Sequence, residues 1–179
     1  NGNGNTINVA TTTTAGQREM LLIQGTSYLT IDSLNFVSNS TTGSWGALIT
    51  GASSFDTIMR STFDVSLNTA TASANNNGIA ISGLNTSPSG AGTAGNNIAI
   101  IGNRLIGSPL AGGMYYGISI ASGGNDSITV LNNTIENYYY YGIYANTTVG
   151  TVIKGNLFTR PNKTAGFTTN YGIYTSAAS

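Results

Sequence analysis

The sequence predicts an all-β fold, a parallel β-helix solenoid of about six coils and three parallel sheets, and three observations carry that prediction. A short pattern recurs as Ile31–Phe36, Ile58–Phe63, Ile100–Leu105, Val130–Ile135 and Ile153–Phe158, each copy running from an aliphatic residue to a large apolar one five positions later. A second pattern, Gly followed by an alternating apolar pair, begins at Gly46, Gly78, Gly117, Gly142 and Gly172, at intervals of 32, 39, 25 and 30 residues. Self-similarity at that spacing is the mark of stacked repeats. Helical spacing is nowhere sustained, and the Asn, Ser, Thr and Gly that fill the polar positions disfavour helix.

Taken in order, Ile7–Val9 and Leu21–Ile23 read as the first strands, the second of them lacking the Gly. Each later repeat supplies a strand at the Gly, a short turn, a second strand at the aliphatic residue, a tight Asn-bearing turn and a brief third strand at the Phe, Leu or Ile. β-Branched residues dominate the inward positions. Equivalent strands one full repeat apart must then lie parallel. Length variation gathers outside the strands, and residues 84–96 (with Pro88) and 107–115 read as protruding loops. The whole of 1–179 forms a single segment. It begins without Met and has no recognisable cap at either end, so flanking coils or partner strands are expected in a longer parent chain.

Composition narrows the chemistry. Only 7% of residues are charged and the six basic and six acidic side chains cancel, which argues against nucleic acid or an anionic membrane as partner. No apolar run is long enough to insert in a membrane. There is no Cys and no His, so disulfides, thiolate metal sites and the usual general base are excluded, and no cofactor or metal is expected. Sequons stand at Asn39, Asn85, Asn125, Asn132, Asn146 and Asn162, about the number that this Asn, Ser and Thr content produces by chance.

Asn103, Asn133 and Asn156 occupy the same place in successive tight turns, where amides stacked about 4.8 Å apart form a structural ladder. Tyr116, Tyr141 and Tyr171 precede the strand Gly, with Trp45 in an earlier repeat, and Tyr138, Tyr144 and Tyr174 join them near the C-terminal end. These rings either stack to support the fold or face outward as a glycan platform, with Tyr138, Tyr144 and Tyr174 the binding candidates; alternation does not decide which.

For catalysis, alternation places no ionisable residue outward on the first strand. Asp32 and Lys154 on the second are four coils apart, roughly 19 Å. Asp64 and Glu136 on the third are two coils and about 10 Å apart, near the upper end for inverting glycosidases, with Ile106 between them. They are the weak catalytic candidates. Asp56 falls on an inward position, which requires either a local shift that brings Phe55 in or a hydrogen-bonded turn.

The run Asn133-Thr-Ile-Glu-Asn137-Tyr-Tyr-Tyr-Tyr-Gly142-Ile-Tyr144 and its echo Met114-Tyr-Tyr-Gly-Ile118 resemble repeats of the right-handed parallel β-helix superfamily, which includes pectate lyases and polygalacturonases. Within it, the wording resembles the Thr/Asn/Gly-rich surface proteins exported by the type IX pathway of gliding bacteria. The resemblance implies a right-handed, single-stranded β-helix, secreted or at the bacterial cell surface, that acts as a non-catalytic structural or adhesive module contacting polysaccharide or cell-surface components. The alternative it implies is a polysaccharide-degrading or carbohydrate-binding β-helix.

Overall fold

The computed structural model describes residues 5–110, 112–121, 123–161, 163–164 and 169–176. The extreme residues of the 1–179 segment, Ala111 of the 107–115 loop and the sequon at Asn162 lie outside that set. Among the described residues the protein is all-β with no helix. Every pairing between its strands is parallel.

After β1 (Thr6–Val9) come β2 (Glu19–Gln24), β3 (Thr30–Asp32) and β4 (Asn35–Ser38). The next repeat holds β5 (Ser44–Thr50), β6 (Ser53–Ser54), β7 (Thr57–Met59) and β8 (Thr62–Asp64), and the one after it β9 (Asn76–Ile81), β10 (Gly95–Asn96), β11 (Ala99–Ile101) and β12 (Arg104–Ile106). Then follow β13 (Tyr116–Ile120), β14 (Thr129–Leu131), β15 (Thr134–Glu136), β16 (Tyr141–Asn146), β17 (Val152–Lys154), β18 (Leu157–Thr159) and β19 (Tyr171–Ser176).

Each strand pairs with its equivalent one repeat away. Sheet I is β2-β5-β9-β13-β16-β19, sheet II β3-β7-β11-β14-β17 and sheet III β1-β4-β8-β12-β15-β18. β6 and β10 add a two-stranded fourth sheet. This arrangement is compatible with a β-helix.

The core follows the two sequence patterns. Ile58, Ile100 and Val130 of sheet II and Phe36, Phe63, Leu105 and Ile135 of sheet III are buried against Ile79, Ile81, Ile118, Ile120 and Ile143 of sheet I. Phe36 and Phe63 stack with centroids 5.0 Å apart.

The Gly column explains why sheet I needs glycine at its start. A Cβ on Gly46 would lie 2.6 Å from the Gly78 carbonyl oxygen and 2.9 Å from Phe63 Cβ; on Gly142 it would lie 2.5 Å from the Gly172 oxygen and against Phe158. Bare backbone here lets the sheet III side chains reach sheet I. Because the Gly and the residue after it both face inward, strict alternation breaks in every repeat. The residue before each Gly therefore turns outward.

Candidate functional site

Outside the core, the outer face of sheet I carries a docked loop and two rows of tyrosines. The segment 84–96 leaves the coil there and its first part folds back as a strap. Ser82 Oγ donates to the Ser87 carbonyl (2.6 Å) and accepts the Leu84 N–H (3.2 Å), the Gly83 N–H donates to the Gly90 carbonyl (3.0 Å), and Ser119 Oγ donates to the Pro88 carbonyl. Leu48, Ala80, Ser82 and Ser119, which alternation places outward, are fully buried, and Leu48 and Ala80 pack with Trp45 in a small second cluster.

On one side of the strap a groove of about 180 Å³ is lined by Glu19, Leu22, Gln24, Leu48, Thr50 and Leu84. On the other side lie the tyrosines. Tyr116 and Tyr141 stack at 5.4 Å and 15°, and Tyr141 and Tyr171 at 5.7 Å and 14°. A second row, Tyr144 over Tyr174, stacks at 5.8 Å and 2°. The rows interlock through Tyr116–Tyr144 at 5.2 Å and Tyr141–Tyr174 at 5.3 Å, so both lie on one face.

Tyr144 is half-buried and Tyr174 is 36% exposed, so this face is both self-stacked and open to solvent. Burial pushes the Tyr116 hydroxyl up to about 12 and raises Tyr141 and Tyr144 as well.

Tyr138, the third binding candidate, is placed elsewhere. It follows Asn137, whose φ is 52°, and the reversal sends its ring inward, where it is only 5% exposed. It packs edge-on against Phe158 at 6.3 Å with the Arg160 guanidinium 5.5 Å from its centroid. Tyr138 belongs to the core and offers no ring face to a ligand.

Asn103, Asn133 and Asn156 form a continuous amide column at the tight turn. Asn103 Nδ2 donates to Asn133 Oδ1 (3.1 Å) and Asn133 Nδ2 to Asn156 Oδ1 (2.9 Å). The second hydrogen of each Nδ2 is given to the carbonyls of Ile58, Ile100 and Val130, all at 2.9 Å. These bonds occupy the side chains in holding one repeat on the next.

The acids are similarly engaged. Asp64 and Glu136 flank Ile106 across sheet III, yet Glu136 receives both Arg104 Nε (2.7 Å) and Nη2 (3.0 Å), and Asp64 accepts the Ser66 N–H (2.9 Å). Arg104 was legible as a partner, since it lies two residues before Ile106 and thus on the same face.

Asp32 pairs with Arg60 through Nε (2.9 Å) and Nη2. Those bonds, with one from Ser33, hold its carboxyl below the usual range. Asp56 is fully buried, with Thr26 Oγ1 (2.7 Å) and the Leu29 N–H (2.8 Å) of the preceding repeat donating to it, while Phe55 is not drawn inward; the bonds run between repeats rather than within a turn. No group of three or more acidic side chains close enough to hold a metal occurs among the described residues.

Tyr28 and Phe55 stack at 5.0 Å and 4° on the corner that follows sheet I. No family model matches the chain, and no curated protein or solved structure matches it.

Proposed function

We propose that the chain is a segment of a right-handed parallel β-helix, secreted or displayed at a bacterial cell surface, that serves as a structural and adhesive module and contacts neutral glycans through the tyrosine face of sheet I. The observation that carries this reading is the pair of interlocked tyrosine rows, which present aromatic edges and neutral hydroxyls on one outer face. Exposed aromatic edges give apolar contact to the C–H groups of pyranose rings, and phenol hydroxyls bond the sugar hydroxyls. Stacking along the repeat axis holds the rings in place before a ligand arrives, which lowers the ordering cost of binding.

An adhesive rather than hydrolytic role is supported by the acids. A general acid and base must be free to exchange protons with substrate and water, whereas Glu136 is held by two bonds from Arg104.

The test is affinity electrophoresis of the purified chain through gels containing neutral polysaccharides, beside a depolymerisation assay. The wild-type chain should be retarded, and Tyr144→Ala with Tyr174→Ala should weaken binding about tenfold, equivalent to ~1.4 kcal/mol. Retardation unchanged by that double substitution sinks the tyrosine-face reading. Depolymerisation lost in Asp64→Asn or Glu136→Gln would replace adhesion with catalysis.

A further inference from the structure

We propose that the stacked Tyr28–Phe55 pair is a second neutral-saccharide contact, on a corner separate from the tyrosine rows; this deepens the glycan-contact reading and rests on it. The two rings stack nearly parallel, 4° apart, yet Tyr28 is 76% and Phe55 48% exposed. Neither residue belongs to a core cluster, and about half of Phe55 and most of Tyr28 remain open to solvent. Both backbones are left-handed, with φ of 63° and 55°, a conformation that bulky L-residues avoid.

The same corner column continues through Asn97, Ser127 and Gly150, with φ of 53°, 57° and 67°. Its successive N–H groups donate one repeat onward, from Tyr28 to the Ser54 carbonyl, from Phe55 to Asn96, from Asn97 to Asp126 and from Ser127 to Val149. Asn and Gly take that conformation most readily. Aromatic residues therefore stand where the backbone disfavours them and where packing gives little back. Strain retained at an exposed position points to use.

The surroundings select the ligand. Ser27 Oγ and Ser54 Oγ, each adjacent in sequence to one of the rings, are 2.8 Å apart and border the pair with hydroxyls, to which Tyr28 adds its own. Asp56, next to Phe55, is buried with both oxygens engaged and offers neither of them to a ligand. Flat rings rimmed by hydroxyls and lacking a free charge fit a neutral pyranose chain better than an anionic one. A protein partner of ordinary stability needs roughly 800 Å² on each side, far more than two rings supply.

The experiment runs the wild-type chain and the variants Phe55→Asn and Tyr28→Asn through gels containing hydroxyethylcellulose, laminarin or xyloglucan, with alginate as the anionic control, and records Tm for each. Both variants should bind at least one neutral polymer about tenfold more weakly while Tm stays level or rises by roughly 2–4 °C as the strain is relieved. Unchanged retardation in both variants overturns the proposal; the tyrosine-face reading then survives if Tyr144→Ala with Tyr174→Ala still weakens binding. If the wild-type chain is retarded by no neutral polymer, both readings fall. Lower Tm in both corner variants would make the pair a structural staple, and dissociation of a dimer by Tyr28→Asn would assign it to self-association; either outcome overturns the saccharide site.

Discussion

Asn133 is fully buried and makes four side-chain hydrogen bonds within the amide column. Its Oδ1 accepts from the Asn103 N–H (2.9 Å) and Nδ2 (3.1 Å), and its Nδ2 donates to the Ile100 carbonyl and to Asn156 Oδ1. Asn133→Ala leaves the Asn103 N–H and the Ile100 carbonyl buried without those partners, so it should cost on the order of 3 kcal/mol in urea unfolding. Asn156→Ala, at the less sheltered end of the column, should cost less; equal and small costs would mean that the ladder adds little. Lys163 provides a pH signature of another kind. Its Nζ donates to the carbonyls of Ser108 (2.9 Å), Gly112 and Asn137 (3.3 Å) and lies 5.4 Å from the Tyr139 centroid. Burial lowers its pKa to about 8 from an ordinary 10.5. Between those values the unfolded chain binds more protons than the folded one, so this group makes stability rise with pH across that window. Tyr116, raised to about 12, acts in the opposite sense at higher pH. The wild-type minus Lys163→Met difference in Tm should therefore grow from pH 7.5 to 9.5, and a flat difference would show that the amine is not shifted.

Within each element, legibility depended on how local the deciding contact is. The three-residue strands of sheets II and III follow alternation, as in β7, β11 and β14, where the central residue is buried and its neighbours are half-buried, and the repeat pattern alone located them. Sheet I broke the rule because Gly and the following residue both face inward, a consequence of side chains arriving from sheet III that no local pattern encodes. That break decides which way Tyr116 and Tyr141 point. The strap was readable as a loop from Pro88 and its glycines, but its docking depends on Ser119, 31 residues away in sequence. Two glycines separate the roles this residue plays. At Gly117 an added Cβ would lie 2.5 Å from Ile135 Cγ2 and against the Gly142 carbonyl, whereas at Gly102 (φ 64°) nothing lies within 4 Å. Gly117→Ala should cost about 3 kcal/mol through overpacking, and Gly102→Ala about 1 kcal/mol through backbone strain alone. Comparable losses in chemical denaturation would refute the close-approach explanation of the Gly column.

Across the whole molecule, parallel pairing between equivalent strands makes each repeat depend on its two neighbours, so stability is a near-neighbour sum along the axis. The sequence revealed this organisation because its repeats are periodic, and it concealed the working surface because the corner aromatics and the outer tyrosines are set by contacts between repeats. The same organisation predicts where the fold opens. Ile100, Leu105 and Ile118 are fully buried between repeats on both sides, while the equivalent inward residues on strands at the ends of the sheets are less covered: Ile31, Ile153 and Phe158 are half-buried and Ile173 is exposed. Fewer buried contacts at the ends mean a smaller free energy of local opening there. In the 179-residue chain, native-state hydrogen exchange should find the amides of β11, β12 and β13 slowest, with protection declining toward β2 in one direction and β19 in the other. Leu105→Ala deletes a fully buried side chain and should cost about 3 kcal/mol. Because it removes contacts that couple both halves, it should lower protection in the central strands more than in β2 or β19. Uniform loss across all strands would instead mean that the molecule opens as one cooperative unit and that the near-neighbour picture does not describe it.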